Sequence, residues 1–156
     1  MMRHLSLARG GLAGLLLAAL AGAALAANDL PPPKAGGDAM PPVQLTITSE
    51  NGAAKCEPAE LRLPANSNVA LEVTNRSSAR VTLTAPQIFQ NKNVLHHDGD
   101  VVHVASNDAY LVKENGTGEI RLRTIGPGEY TFGCTSVTAQ SKPFEGKLTL
   151  VDPTPR

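Results

Sequence analysis

Tryptophan is missing from the 156-residue sequence, and Phe, Tyr and Trp together account for only 3% of it. Any interior must therefore be built from Val, Leu and Ile. Neither sign of charge is in excess, with 14 Lys and Arg against 14 Asp and Glu. That balance gives no electrostatic footprint for nucleic acid or for an anionic membrane surface. Enzymatic signatures are also missing: there is no nucleophile elbow with a Ser/His/Asp order, no Gly-rich phosphate loop and no zinc-protease helix. The chain is accordingly read as a non-enzyme. No segment keeps a helical period over three turns, and no internal repeat is visible.

The long apolar run lies at the start. Arg3 and Arg9 precede a Leu- and Ala-rich stretch from Gly10 to Ala26, which closes on Ala24-Leu25-Ala26. A basic start, a short apolar run and an A-x-A site predict a cleaved secretory signal peptide over residues 1–26. The run is too short and too rich in Gly and Ala to favour a spanning helix. No membrane insertion of the mature protein is expected, and the expected location is periplasmic. Residues 27–42 hold Pro31-Pro32-Pro33, Gly36-Gly37 and Pro41-Pro42 with almost nothing to bury, as in a flexible tether.

From Val43 the hydrophobic period becomes two. Val43, Leu45 and Ile47 alternate with polar residues, as do Val69, Leu71 and Val73, then Val81 and Leu83. Similar short runs follow at Val101–Val104, Ala109–Val112, Ile120/Leu122, Tyr130/Phe132 and Leu148/Leu150. Runs of this length, bounded by Gly, Pro, Asn or Ser, predict an all-β fold, a single Greek-key β-sandwich over residues 43–152. The stretch from Gln87 to Asp100 is the least regular and is expected to form a long loop or a short helix. The sequons at Asn75-Arg-Ser77 and Asn115-Gly-Thr117 are short enough to arise by chance.

Two cysteines in an exported chain, Cys56 and Cys134, are read first as a disulfide. Two other readings stay open: a pair of thiolates for a soft ion such as Cu(I), and a redox-active pair.

The string Cys56-Glu-Pro-Ala-Glu-Leu-Arg-Leu-Pro-Ala65 is followed by Leu71-Glu-Val-Thr-Asn75-Arg-Ser77. Gly126-Pro-Gly-Glu-Tyr-Thr-Phe-Gly-Cys134 and Gly146-Lys-Leu-Thr-Leu-Val151 complete the set. Together they resemble the cupredoxin family, and more narrowly the cupredoxin-like domain of EfeO-type periplasmic iron-uptake proteins. The resemblance covers about residues 43–151. It implies a Greek-key sandwich with its functional end at the loop between Cys134 and Gly146, and it implies that Cys56 lies near Cys134.

A blue-copper centre needs two imidazoles, a thiolate and usually a weak axial thioether. In this family the first imidazole follows the Asn75-type residue by about six positions, but Ala79–Thr84 contains no histidine. The loop after Cys134 offers neither histidine nor methionine, and Phe144 stands at the methionine's place. No blue-copper centre is expected. The glutamates of the iron-uptake domains are likewise replaced, by Thr82 and Thr84.

The metal-capable side chains that remain gather at His96, His97, Asp98, Asp100 and His103. Imidazole suits Cu(II), Zn or Ni. Because adjacent strand residues face opposite ways, His96 and His97 could share one ion only in a turn. The candidate metal residues are thus His96, His97, His103, Cys56 and Cys134. The functional expectation is an exported metal-handling protein assisting iron or copper uptake or assembly. Its expected partner is a membrane transporter or another metalloprotein. The alternatives are an electron-transfer protein with a non-standard copper site and a metal-free interaction sandwich.

Overall fold

A computed structural model describes residues 42–90, 92–104, 108–138 and 142–153. The expected signal segment, and the tether up to residue 41, lie outside the described residues. Among those described, all regular structure is β: β1 (Val43–Glu50), β2 (Ala53–Glu57), β3 (Glu60–Pro64), β4 (Asn68–Asn75), β5 (Val81–Thr84), β6 (Val94–Gly99), β7 (Val101–Val104), β8 (Ala109–Val112), β9 (Thr117–Arg123), β10 (Gly128–Ser136) and β11 (Phe144–Val151).

The strands form a five-stranded sheet in the order β2-β1-β4-β9-β6 and a six-stranded sheet in the order β3-β11-β10-β5-β8-β7. β1 with β4 and β3 with β11 pair parallel, and the other ladders are antiparallel. The crossovers are those of a Greek-key sandwich. Alternation explains the core: Leu45 and Ile47, Val69, Leu71 and Val73, Val81 and Leu83, and Ile120 and Leu122 all point between the sheets and are buried.

Two strands differ from the sequence expectation. β2 carries Cys56 and forms a hairpin with β1 through Asn51-Gly52, at φ 53° and 80°. Both signs suit a type I′ turn. The irregular stretch from Gln87 to Asp100 is neither loop throughout nor helix. After a turn near Pro86–Phe89 it runs as β6, paired with β9. Its alternation is hidden because the register slips between Val94 and His96, and most of its side chains are exposed.

The chain changes sheets at the β6–β7 corner. Asp100 N–H donates to Thr117 O at 3.0 Å, and Lys113 N–H donates to Asp100 O at 3.0 Å. Asp100 Oδ2 accepts from Thr117 N–H at 3.2 Å. Gly99 turns at φ 76°, and a Cβ there would lie 2.6 Å from Thr117 O. Only glycine fits both the φ and the close approach.

Candidate functional site

Cys56 on β2 and Cys134 on β10 are joined by a disulfide, with Cα atoms 6.3 Å apart and 78 positions between them in sequence. Both are fully buried. The bond ties the edge strand of one sheet to a central strand of the other. Of the three readings of the cysteine pair, the structure takes the disulfide.

Cys134 belongs to a single lateral row on the inner face of the six-stranded sheet. Phe144 pairs with Cys134, Cys134 with Leu83, Leu83 with Tyr110 and Tyr110 with His103. Directly paired residues share a face, so these five side chains stand side by side. Around the sulfur, the inward residues of β5 are Val81 and Leu83, both apolar and buried. Phe144 packs on the core's edge, its ring 6.3 Å from that of Phe132. Gly146 makes room for Phe132, since a Cβ there would lie 2.3 Å from that ring.

These residues do not fit a blue-copper set. The Cys134 sulfur is bonded to Cys56, its row neighbours are Leu83 and Phe144, and the last methionine of the chain is Met40, outside the described residues. Thr82 and Thr84 alternate with the inward Val81 and Leu83 on β5 and are half-buried.

Two motif residues hold the frame rather than a ligand. Asn75, 1% exposed, donates through Nδ2 to Ala79 O at 2.8 Å and to Lys113 O at 3.0 Å. Its Oδ1 accepts from Ser77 N–H at 2.9 Å and Ser77 Oγ–H at 2.7 Å. A side chain so enclosed and so fully bonded cannot present itself as a glycan acceptor. Tyr130 Oη–H donates to Gly126 O at 2.9 Å and so fastens the Pro-Gly-Glu turn.

The histidines are split by the fold. β6 is a strand rather than a turn, so His96 and His97 face opposite sides. His96 pairs with Arg121 on the outer face and approaches Asp98 at 3.5 Å, an exposed polar strip. His97 pairs with Ile120, which is fully buried, and therefore faces inward from the edge of the five-stranded sheet. His103 faces inward from β7, the edge of the six-stranded sheet.

The two meet at one ring. His97 and His103 each lie with ring centroids 5.3 Å from Tyr110, at interplanar angles of 67° and 51°. Phe89 completes the group edge-on to Tyr110 at 5.1 Å. Burial pushes the Tyr110 hydroxyl above the ordinary tyrosine range, because the phenolate would lose hydration. His103 Nε2 is buried without a hydrogen-bond partner. Such an atom costs about 1–3 kcal/mol when left unpaired.

Among the described residues no group of three or more His, Cys, Asp or Glu is arranged to hold an ion. The sequence offered the three histidines as one cluster, whereas the fold sets His97 and His103 against Tyr110 from different sheets and turns His96 outward. Nothing in the local spacing signals this, since it arises only where the edges of two sheets meet.

A family model described as a cupredoxin-like domain matches residues 13–150. Among solved structures, a multi-copper oxidase from Pediococcus acidilactici aligns with a TM-score of 0.53 at 13% identity. The alignment covers 80% of this chain but 29% of the oxidase, so the likeness speaks to the fold of one part of that protein. Auracyanin B aligns with a TM-score of 0.49 at 19% identity, over 77% of this chain and 96% of its own. A search of curated proteins found no match. With its two-sheet Greek-key frame and a family match over nearly the whole length, the chain belongs to the cupredoxin-like domain family.

Proposed function

We propose that the protein is an exported cupredoxin-like module that assists copper or iron handling beside a membrane partner, without a thiolate–copper centre of its own. The observation that carries this reading is the state of Cys134. Its sulfur is spent in the Cys56 disulfide and hemmed in by Leu83 and Phe144. A sulfur so bonded cannot serve as the thiolate through which a blue-copper site passes electrons. Family membership supports the metal-handling class. The signal-like start over residues 1–26 supports export to the periplasm, and a disulfide suits that oxidising compartment. The narrower iron-uptake assignment rests on the Cys56-x-Pro58 and Pro127-Gly-Glu-Tyr130 motifs. The role is binding and delivery rather than catalysis.

The experiment is equilibrium binding of Cu(I), Cu(II), Fe(II) and Fe(III) to the purified exported protein, oxidised and reduced. Micromolar binding of at least one ion is expected. Failure to bind any of them overturns the reading.

One observation favours a second reading, that of a metal-free interaction sandwich. The end of the molecule that holds copper in blue-copper proteins is here closed by a disulfide and capped by Phe144. Under that reading the His96/His97/His103 triple alanine variant keeps its partner, whereas a carrier loses its ion.

A further inference from the structure

We propose that β6, the open edge of the five-stranded sheet, pairs with β6 of a second copy of this chain in an antiparallel two-fold ladder centred on His97. This goes beyond the metal-handling reading and does not depend on it.

β6 ends its sheet. β9 pairs with one side of it, and among the described residues no strand pairs with the other. Every residue from Leu95 to Gly99 is exposed. Leu95 on β6 and Val102 on β7, across the Asp100 corner, are large hydrophobic side chains left in solvent, 57% and 50% exposed. A strand edge with free backbone groups and apolar surface beside it is a template for another strand.

The backbone shows which groups are free. Asp100 N–H donates to Thr117 O, and a Cβ at Gly118 would lie 2.7 Å from Asp98 O. Asp98 and Asp100 therefore turn their backbone groups toward β9. Alternate residues of an antiparallel strand point the other way, so the N–H and C=O of His97 face the open edge. Two copies of His97 set opposite each other would exchange two N–H···O bonds.

The charges of the outer face select that register. Glu72, Glu119 and Asp98 stand in one lateral row across β4, β9 and β6, and the neighbouring row on that face holds Arg121 and His96. Like charges directly opposite one another are unfavourable. Within one chain the relief runs along the strands, from Arg121 to Glu119 and from His96 to Asp98. A two-fold at His97 sets residue 96 of each copy opposite residue 98 of the other. Each acidic row then runs on into the basic row of the other copy. Moving the axis by one residue places His96 opposite His96, or Asp98 opposite Asp98. Edges that avoid pairing carry Pro or charges that repel a second strand; the outer-face charges of β6 complement themselves.

The test is sedimentation equilibrium of the purified protein at neutral pH over a wide concentration range, with circular dichroism as the check on folding. Wild type is expected to show a reversible monomer–dimer equilibrium, weak because one strand pair buries little area. His96→Asp sets Asp opposite Asp98 at both pairs and should weaken dimerisation by about tenfold or more. The exchanged variant His96→Asp/Asp98→Lys should restore it, since both pairs are complementary again. A protein monomeric at every concentration overturns the proposal and leaves this edge to a strand of a different partner. Dimerisation unchanged in His96→Asp overturns it too, as does a lack of recovery in the exchanged variant. Where either variant fails to fold, His97→Cys replaces it. The two-fold sets position 97 opposite itself at about 5.5 Å between Cα atoms, within disulfide reach. A cross-linked dimer on mild oxidation is then expected, and a protein that stays monomeric overturns the register.

Discussion

Leu83 stands directly opposite Cys134 in the β5–β10 ladder, and both are buried on the inner face. In a copper-binding member of this fold the strand beside the cysteine supplies an imidazole; here it supplies Val81 and Leu83. The cysteine has turned to Cys56 instead. One end of the sandwich is thus closed by covalent and apolar packing, while His97 and His103 each pack on Tyr110 at a flank.

Removing the disulfide should cost stability without unmaking the fold. A closed loop of 78 positions stabilises by roughly 4 kcal/mol in the chain-entropy model, an upper figure because native strain subtracts. The Cys56→Ala/Cys134→Ala variant is expected to unfold at lower denaturant with β content preserved. Urea titration with and without reductant measures this.

Asn75→Ala should be among the most damaging single changes. It takes the Nδ2 donor from the carbonyls of Ala79 and Lys113, the former keeping Ser77 Oγ–H, and leaves the Ser77 amide without its acceptor in a buried corner. A loss of about 3 kcal/mol is expected, since each stranded group costs about 1–3 kcal/mol and some recover water. The unfolding midpoint checks it.

Tyr110 gives the protein an alkaline limit. Burial holds its hydroxyl protonated above the ordinary value near 10, while the unfolded chain ionises at that value. Above that pH the unfolded state has lost a proton that the folded state keeps. Stability therefore falls as pH rises past it, and the effect is absent below. Comparing the alkaline unfolding of wild type and Tyr110→Phe reads this out, because the variant lacks the ionisable group and should lose less stability with pH.

The alternating strands were legible wherever a full apolar face was buried, as in Val43–Ile47 and Val69–Val73. Two strands escaped that signal for physical reasons. β2 is Ala-Ala-Lys-Cys-Glu, too small and polar to show a face, although Asn51-Gly52 before it is a strong hairpin signal. β6 is exposed on both sides and its register slips after Val94, which erases the period. The cysteine pair was readable from compartment and motif. The placing of His97 and His103 against Tyr110 was not, because they belong to different sheets.

Phe144→Met puts a thioether where the cupredoxin resemblance expects the axial ligand, and changes nothing else. No visible copper band is expected, because Cys134 stays bonded to Cys56 and no imidazole is beside it. The stability cost should be about 1 kcal/mol, since Met fills a similar volume. Absorbance after Cu(II) addition and a thermal scan test both parts.

Cys134 is held in a disulfide and is not free to supply a copper thiolate. Intact mass and thiol titration of the purified protein, before and after Cu(II) addition, test this. The predicted result is a mass two hydrogens below the reduced chain, no free thiol, and no intense visible band with copper. Two free thiols together with an intense thiolate-to-copper band would contradict it and return the protein to the electron-transfer class.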